Sequence, residues 1–455
     1  MTTDSPRQFL YFTKDEKGPL AGVTAAVVTT AAFAKMFLPF YFIGSTGIFA
    51  VASVLGVTLI AIGWRPLYDM ATKVPDILLL LALFYGLVIA NFLFYSRPAV
   101  PTTHLLGILI FHGLFIIFGF AAARALRPVL VMLLGAGAIF SVVLVQHIIR
   151  FGVLMQDGYL RDIFGVGDRI IYIAFQQEIG IMLGLAALAA LGLSSNRAWR
   201  ILSICALPVV LVVLVHISAR GALIAFVCSL IFLASAAIWV RSKKLAVFGI
   251  IAVVAVGTVA SGLFYERALH DRDIDGVAAD AISRTIREIH NPTPGLRLEI
   301  WSQAWHRIIA EPNRLLFGRG IGIYPVDEGY GPPDWPLHRT IASRVYPHNV
   351  HLEMLYEAGI AGLLLFSVLT LSPLVISLRH WPSLTLAQKA AVSMYVFHIA
   401  GSEFSGAFAI AYLDQFFFAL TVGIIALRRM DDALAPGLTP SREKLDPRHG
   451  AQVLS

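Results

Sequence analysis

Cysteine and charge are both scarce in this chain. Only Cys205 and Cys228 occur, each inside an apolar run, which argues against a structural disulfide framework. Charged residues make up 14% of the sequence against 58% hydrophobic, and mean hydropathy is +0.77. An ordinary soluble domain is about one quarter charged, so that class is excluded and an integral membrane protein is indicated. No cleavable secretion signal is apparent either. The first twenty residues hold Asp4, Arg7, Lys14, Asp15, Glu16 and Lys17 in place of a short apolar region ending at small residues, so the first span is expected to remain as an anchor. No fixed-period repeat, low-complexity tract or two-halves symmetry is visible. One further absence is local: lysine is missing from the only long polar excursion, Glu266 to Pro347.

What is present is a series of hydrophobic runs. At roughly 20 residues per crossing, they fit about twelve helices, near 20–38, 41–63, 75–95, 104–123, 128–148, 170–192, 201–219, 221–240, 245–265, 350–378, 389–410 and 411–427. The expected fold is therefore an all-α polytopic membrane protein. Its parts are an N-terminal tail (1–19), spans one to nine (20–265), a long loop (266–349), spans ten to twelve (350–427) and a C-terminal tail (428–455).

The net charge of +7 follows the connections and is not a nucleic-acid signal. With the N-terminus in the cytoplasm, the inward connections hold Arg65 and Lys73, Arg124 and Arg127, Arg197 and Arg200, Arg241, Lys243 and Lys244, Arg379 and Lys389, then Arg428 and Arg429. That is the positive-inside pattern. Both termini are expected to be cytoplasmic, with 149–169 and the long loop facing the periplasm or cell exterior.

In that loop every fixed cation is arginine: Arg267, Arg272, Arg284, Arg287, Arg297, Arg307, Arg314, Arg319, Arg339 and Arg344. A guanidinium presents a planar fork that matches phosphate or carboxylate oxygens in pairs, so a diphosphate ligand is the first expectation. Asp280–His290 and Glu299–Glu311 carry helical patterning, and Trp301, Trp305, Ile308 and Ile309 are spaced to form one apolar face. That face suits either the membrane surface or packing inside the loop. Lys35, Gln146, His147, Gln176, Gln177, Glu178, His216, Arg220, Glu403 and Asp414 all fall toward the outward ends of spans. Ionisable groups in hydrocarbon cost several kcal/mol, so these residues either face an internal polar cavity or snorkel to the interface.

The sharpest local pattern is His348-Asn349, nine residues, then Gly359-Ile360-Ala361-Gly362, where the loop re-enters the membrane. It resembles the signature of the O-antigen ligases. Ser218-Ala219-Arg220 matches the Ser-x-Arg turn of that family, Arg297 and Trp301 match its Arg-x-x-x-Trp element, and Leu316–Gly322 resembles its Leu-x-Gly-x-Gly stretch. The resemblance implies a GT-C-like membrane glycosyltransferase of the bacterial inner membrane with its active site in a periplasmic loop. Its donor would be an undecaprenyl-diphosphate-linked O-antigen and its acceptor lipid A–core oligosaccharide. Membrane lipids are its surroundings, and no cofactor, metal or nucleic acid is called for. An O-antigen polymerase or a protein O-oligosaccharyltransferase shares the signature, and a polytopic transporter is a rival from another class.

Taken on their own chemistry, these residues suit the task. An imidazole titrates near neutrality, so His348 is the candidate base. Arg220, at the outward end of a span, and Arg297, in the loop, are the candidate diphosphate ligands. Arg161, Arg169, Gln176, His338, Arg339 and Asn349 are secondary candidates for contact with substrate. Asp271, Asp273 and Asp275 lack further metal-ligand spacing and read as a solvated loop, and Gly318-x-Gly320-x-Gly322 reads as a tight turn before a phosphate cradle.

Overall fold

The computed structural model of the protein describes residues 40–151, 169–217, 219–245, 297–335, 341–342 and 345–434. The span expected at 20–38, nearly all of that at 245–265, the helix at 280–290, Ser218, Arg161, His338, Arg339, the N-terminal tail and residues 435–455 lie outside these residues; the C-terminal tail expected from 428 begins later, because the last helix runs on through Arg428 and Arg429 to Leu434. Among the described residues the secondary structure is helical, without strands. The chain runs α1 (Phe40–Ala71), α2 (Pro75–Asn91), α3 (Thr102–Ala122), α4 (Leu126–Phe151), α5 (Arg169–Leu193), α6 (Arg197–His216), α7 (Arg220–Arg241), α8 (Arg297–Ala310), α9 (Tyr324–Asp327), α10 (Val350–Arg379), α11 (Leu386–Ser405) and α12 (Tyr412–Leu434).

Local chemistry sets several boundaries. Pro75 opens α2, where a missing N–H costs nothing. Asn196 accepts from Trp199 N at 2.7 Å to cap α6, and Thr385 with Gln388 forms a reciprocal capping box on α11. Six helical stretches among the described residues are long and apolar enough to cross a membrane, at Pro75–Ser96, Thr102–Gln146, Gln176–Leu193, Arg197–His216, Arg220–Arg241 and Val350–Arg379. The second is 45 residues, about 68 Å at 1.5 Å per residue, roughly twice a bilayer core. It contains the 3₁₀ turn Ala123–Ala125 between α3 and α4.

Hydrocarbon offers no hydrophobic drive between helices, so close backbone approach and dispersion must hold the bundle. Small residues supply that approach. Gly119 of α3 lies against the Phe416 backbone of α12, Gly137 of α4 against Ala186 of α5, and Gly180 of α5 against Ala219 and Ala222 at the start of α7. Gly184 of α5 admits Phe397 of α11, and Gly401 of α11 faces Ala225 of α7.

These contacts sort the helix ends. Arg429 of α12 donates to Lys73 O at 2.8 Å and forms a forked pair with Asp76 at the start of α2. At the far end of α2, Asn91 binds the 317–321 segment of the loop. The loop and the Lys73–Asp76–Arg429 cluster therefore occupy opposite ends of α2.

Candidate active site

The site is assembled where the loop meets the first turns of α10. On α8, Ala304 and Ile308 are buried against Tyr324 and Tyr356, with Ile300, Val345, Leu352 and Leu355 around them. Trp301 Nε1 donates to Pro347 O at 2.8 Å, fixing the peptide that precedes His348. Arg297 stands four residues before Trp301, one helical turn away, and its charge bears on both Tyr346 and His348. The Arg-x-x-x-Trp element thus bears on one short stretch of chain through both residues, Trp301 on its backbone and Arg297 on its side chains.

His348 carries two local costs. Its φ is +57°, the left-handed region, which costs a non-glycine residue roughly 1–3 kcal/mol. Its Nδ1 is buried with no hydrogen-bond partner among the described residues, a loss of about 1–3 kcal/mol for a neutral group. The ring lies 4.4 Å from that of Tyr346. Burial, reinforced by the Arg297 charge, pushes the imidazole pKa from 6.5 down to about 4. At neutral pH His348 is therefore uncharged and able to accept a proton.

Asn349 joins two helix ends. Its side chain accepts from Leu352 N at 2.7 Å, capping α10, and donates to Glu403 O at 3.1 Å at the end of α11. Two residues on, His351 Nδ1 meets Glu403 Oε1 at 2.5 Å. Glu403, His351, Ser402 and Asp414 line a cavity between α10, α11 and α12, and Asp414 also accepts from Ser402 and lies 3.1 Å from His398 Nδ1. The expectation of a polar cavity thus meets Glu403 and Asp414 there, whereas Gln146 and His216 are exposed.

Arg220 is the first residue of α7 and half-buried. Its neighbour Gly221 leaves room for the Gln177 side chain of α5, and Ala225, farther along α7, faces Gly401 of α11. Arg220 therefore shares an end of the bundle with Glu403 and, through Asn349, with His348. Gln176 is buried within α5, and Arg169 is that helix's first residue.

The glycine-rich stretch is a clamp on a broken helix. Gly359 has φ +69° and ψ −166° inside α10. The broken turn frees backbone groups, and the loop takes them: Ile360 N donates to Leu315 O at 2.9 Å, Ala361 N to Leu316 O at 3.0 Å, Arg319 N to Tyr356 O at 3.0 Å, and Gly320 N to Glu357 O at 2.9 Å. A Cβ on Gly359 would lie 2.5 Å from Gly318 N, and one on Gly318 would lie 2.3 Å from Glu357 O. Asn91 of α2 completes the clamp, donating to Phe317 O and accepting from Ile321 N at 3.0 Å. The remaining arginines of this stretch are spent internally. Arg319 pairs with Glu311 at 3.0 Å and Asp327 at 2.8 Å, Arg307 donates to Asp327 O at 2.7 Å and meets Glu328 at 3.3 Å, and Arg314 pairs with Glu311 at 3.1 Å. Tyr356 OH donates to Asp327 Oδ2 at 2.5 Å beneath them.

Asn91, Glu357 and the His351–Glu403 pair belong to this architecture without having been singled out as site residues. A polar side chain in an apolar helix is itself a signal, and Asn91, Glu353 and Glu357 all carry it.

Residues 205–367 match the family model described as O-Antigen ligase. The chain carries an O-antigen ligase family domain. That domain runs from within α6 into α10 and includes Arg220, Arg297, Trp301, the glycine clamp, His348 and Gly359. The match supports a place in the O-antigen ligase/polymerase superfamily, whose members are membrane glycosyltransferase-like enzymes. A search of curated proteins found no match to the chain.

Proposed function

We propose that the protein is an O-antigen ligase, a GT-C-like polytopic enzyme of the bacterial inner membrane with about twelve spans, cytoplasmic termini and a periplasmic catalytic loop. It transfers O-antigen from undecaprenyl diphosphate to lipid A–core oligosaccharide. The observation that carries this reading is His348: a neutral, half-buried imidazole whose buried Nδ1 has no partner among the described residues, held by Trp301 through Pro347 and under the influence of the Arg297 charge.

In the proposed step, the acceptor hydroxyl loses its proton to His348 as its oxygen bonds to the anomeric carbon. The bond from that carbon to the diphosphate oxygen breaks, and the electron pair leaves with the diphosphate. Arg220 and Arg297 offset the charge that develops there, through forked hydrogen bonds. A single displacement inverts the anomeric centre, and charge neutralisation by two guanidiniums makes the step metal-independent. The incoming diphosphate also opposes the influence of Arg297 on His348, favouring the protonated imidazole as the reaction proceeds.

Two assays on purified, reconstituted protein test this. Lipid A–core, unpolymerised repeat units and a pilin-like protein compete for the same donor, and product on lipid A–core is expected. Product only on repeat units indicates a polymerase, and product only on protein an O-oligosaccharyltransferase. Full activity in chelator is expected, and its abolition overturns metal independence.

A further inference from the structure

α8 has three sectors. Ile300, Ala304 and Ile308 face Tyr356 and its neighbours, Ser302, Gln303 and His306 form an exposed polar side, and Trp305 and Ile309 lie between them. Those two apolar side chains are 51% and 53% exposed. The buried sector is already occupied by α10, so the Trp305–Ile309 sector is surplus to the loop's own core.

A second exposed apolar group is held against α10 by the clamp. Leu316 and Phe317 are 54% and 44% exposed, although their backbone is clamped by Asn91 and by Ala361 N. The clamp fastens them at the upper end of a stripe formed by Ile360, Leu364, Val368, Leu371 and Val375, all exposed. Spacings of four, four, three and four place that stripe on one face of α10. On a membrane span such a face meets lipid. Leu316 and Phe317 therefore continue that lipid-facing surface into the loop.

We propose that Trp305, Ile309, Leu316 and Phe317 form an interfacial foot that rests in the headgroup–acyl boundary of the bilayer. The occupant of this surface is lipid. Tryptophan favours that zone, and an amphipathic helix gains its binding there from its apolar side while its polar side stays in water. The foot sets the height of α8, and with it the level of Arg297 and of the Trp301–Pro347 contact, relative to a lipid-linked substrate. The proposal rests on the membrane character of the chain and not on the reaction, so it stands or falls separately from glycosyl transfer.

The test uses the full chain in vesicles of phosphatidylethanolamine and phosphatidylglycerol. In a Cys205→Ser, Cys228→Ser background, nitroxide labels are attached after Ile309→Cys, Phe317→Cys or Gln303→Cys. Labels at 309 and 317 are expected to relax severalfold more with oxygen, relative to a water-soluble nickel chelate, than the label at 303. Equal ratios at the three positions overturn the proposal. So does strong spin–spin coupling at 309 and 317 at low protein-to-lipid ratio, which identifies a second copy as the occupant. Unsubstituted protein provides a second measurement in case a variant fails to fold. A photoreactive lipid with its probe near the headgroup is expected to crosslink within residues 305–317, and its absence there overturns the foot.

Discussion

Two stretches of the loop meet α10 nine to eleven residues apart, and they are built on opposite terms. At Gly359 every group freed by the helix break that is named above finds a partner, and Arg307, Arg314 and Arg319 are each paired to loop acids. At His348 the backbone is left-handed and a buried nitrogen lacks a partner among the described residues. The clamp has the marks of a scaffold, and the histidine those of a residue kept for something that arrives later. Cost without internal compensation is what separates a working site from its support.

The largest effect that sharpens this contrast is expected at the histidine itself. His348→Ala should lower glycosyl transfer by about 10²–10⁴-fold, the usual contribution of a general base, with no loss of thermal stability in detergent. Transfer that survives, or a melting temperature that collapses, breaks the contrast at its centre. Gly359→Ala should do the reverse. A Cβ there meets the Gly318 backbone at a positive φ, so stability should fall by about 3 kcal/mol or more, read as loss of monodisperse protein or a large drop in melting temperature.

A smaller effect lies in pH. His348 has its folded pKa depressed, so the unfolded chain binds more protons between the ordinary histidine value and about 4, and its contribution to stability is lost as pH falls through that window. The same depression should put the acid limb of kcat/KM below the ordinary histidine range. Arg297→Gln removes a positive neighbour, so the limb should move upward along with a loss of rate. A limb that stays fixed separates Arg297 from His348. The smallest effect is assigned to Arg314→Ala. The exposed Arg314–Glu311 pair should contribute no more than about 0–1 kcal/mol, and transfer should be unchanged. A rate loss there of the size expected for Arg297 ends the distinction between structural and substrate-facing arginines.

Much of the helical frame was legible in hydropathy alone. The runs at 75–95, 170–192, 221–240 and 350–378 correspond to α2, α5, α7 and α10 within a few residues. The His348 signature was legible because a histidine and a helix-capping asparagine are neighbours in sequence. The clamp was not, because its bonds join Asn91 to residues 226 and 230 positions away, and no local pattern encodes such pairing. The loop helix was half legible. Period 3.6 locates an apolar stripe but not which edge of it packs, so Trp301 and Ile308 turn toward α10 while Trp305 and Ile309 turn away.

The break at Gly359 has a practical side for anyone exchanging loops between relatives. By its contacts, Val350–Ala358 belongs to the loop as much as to the bundle, since Tyr356 and Glu357 bind the loop while His351 and Glu353 bind the α11–α12 end, so a chimaera cut at the apparent membrane boundary severs one unit in two. Junctions placed beyond Ala361, with Asn91 carried along as a travelling companion, transplant the whole piece.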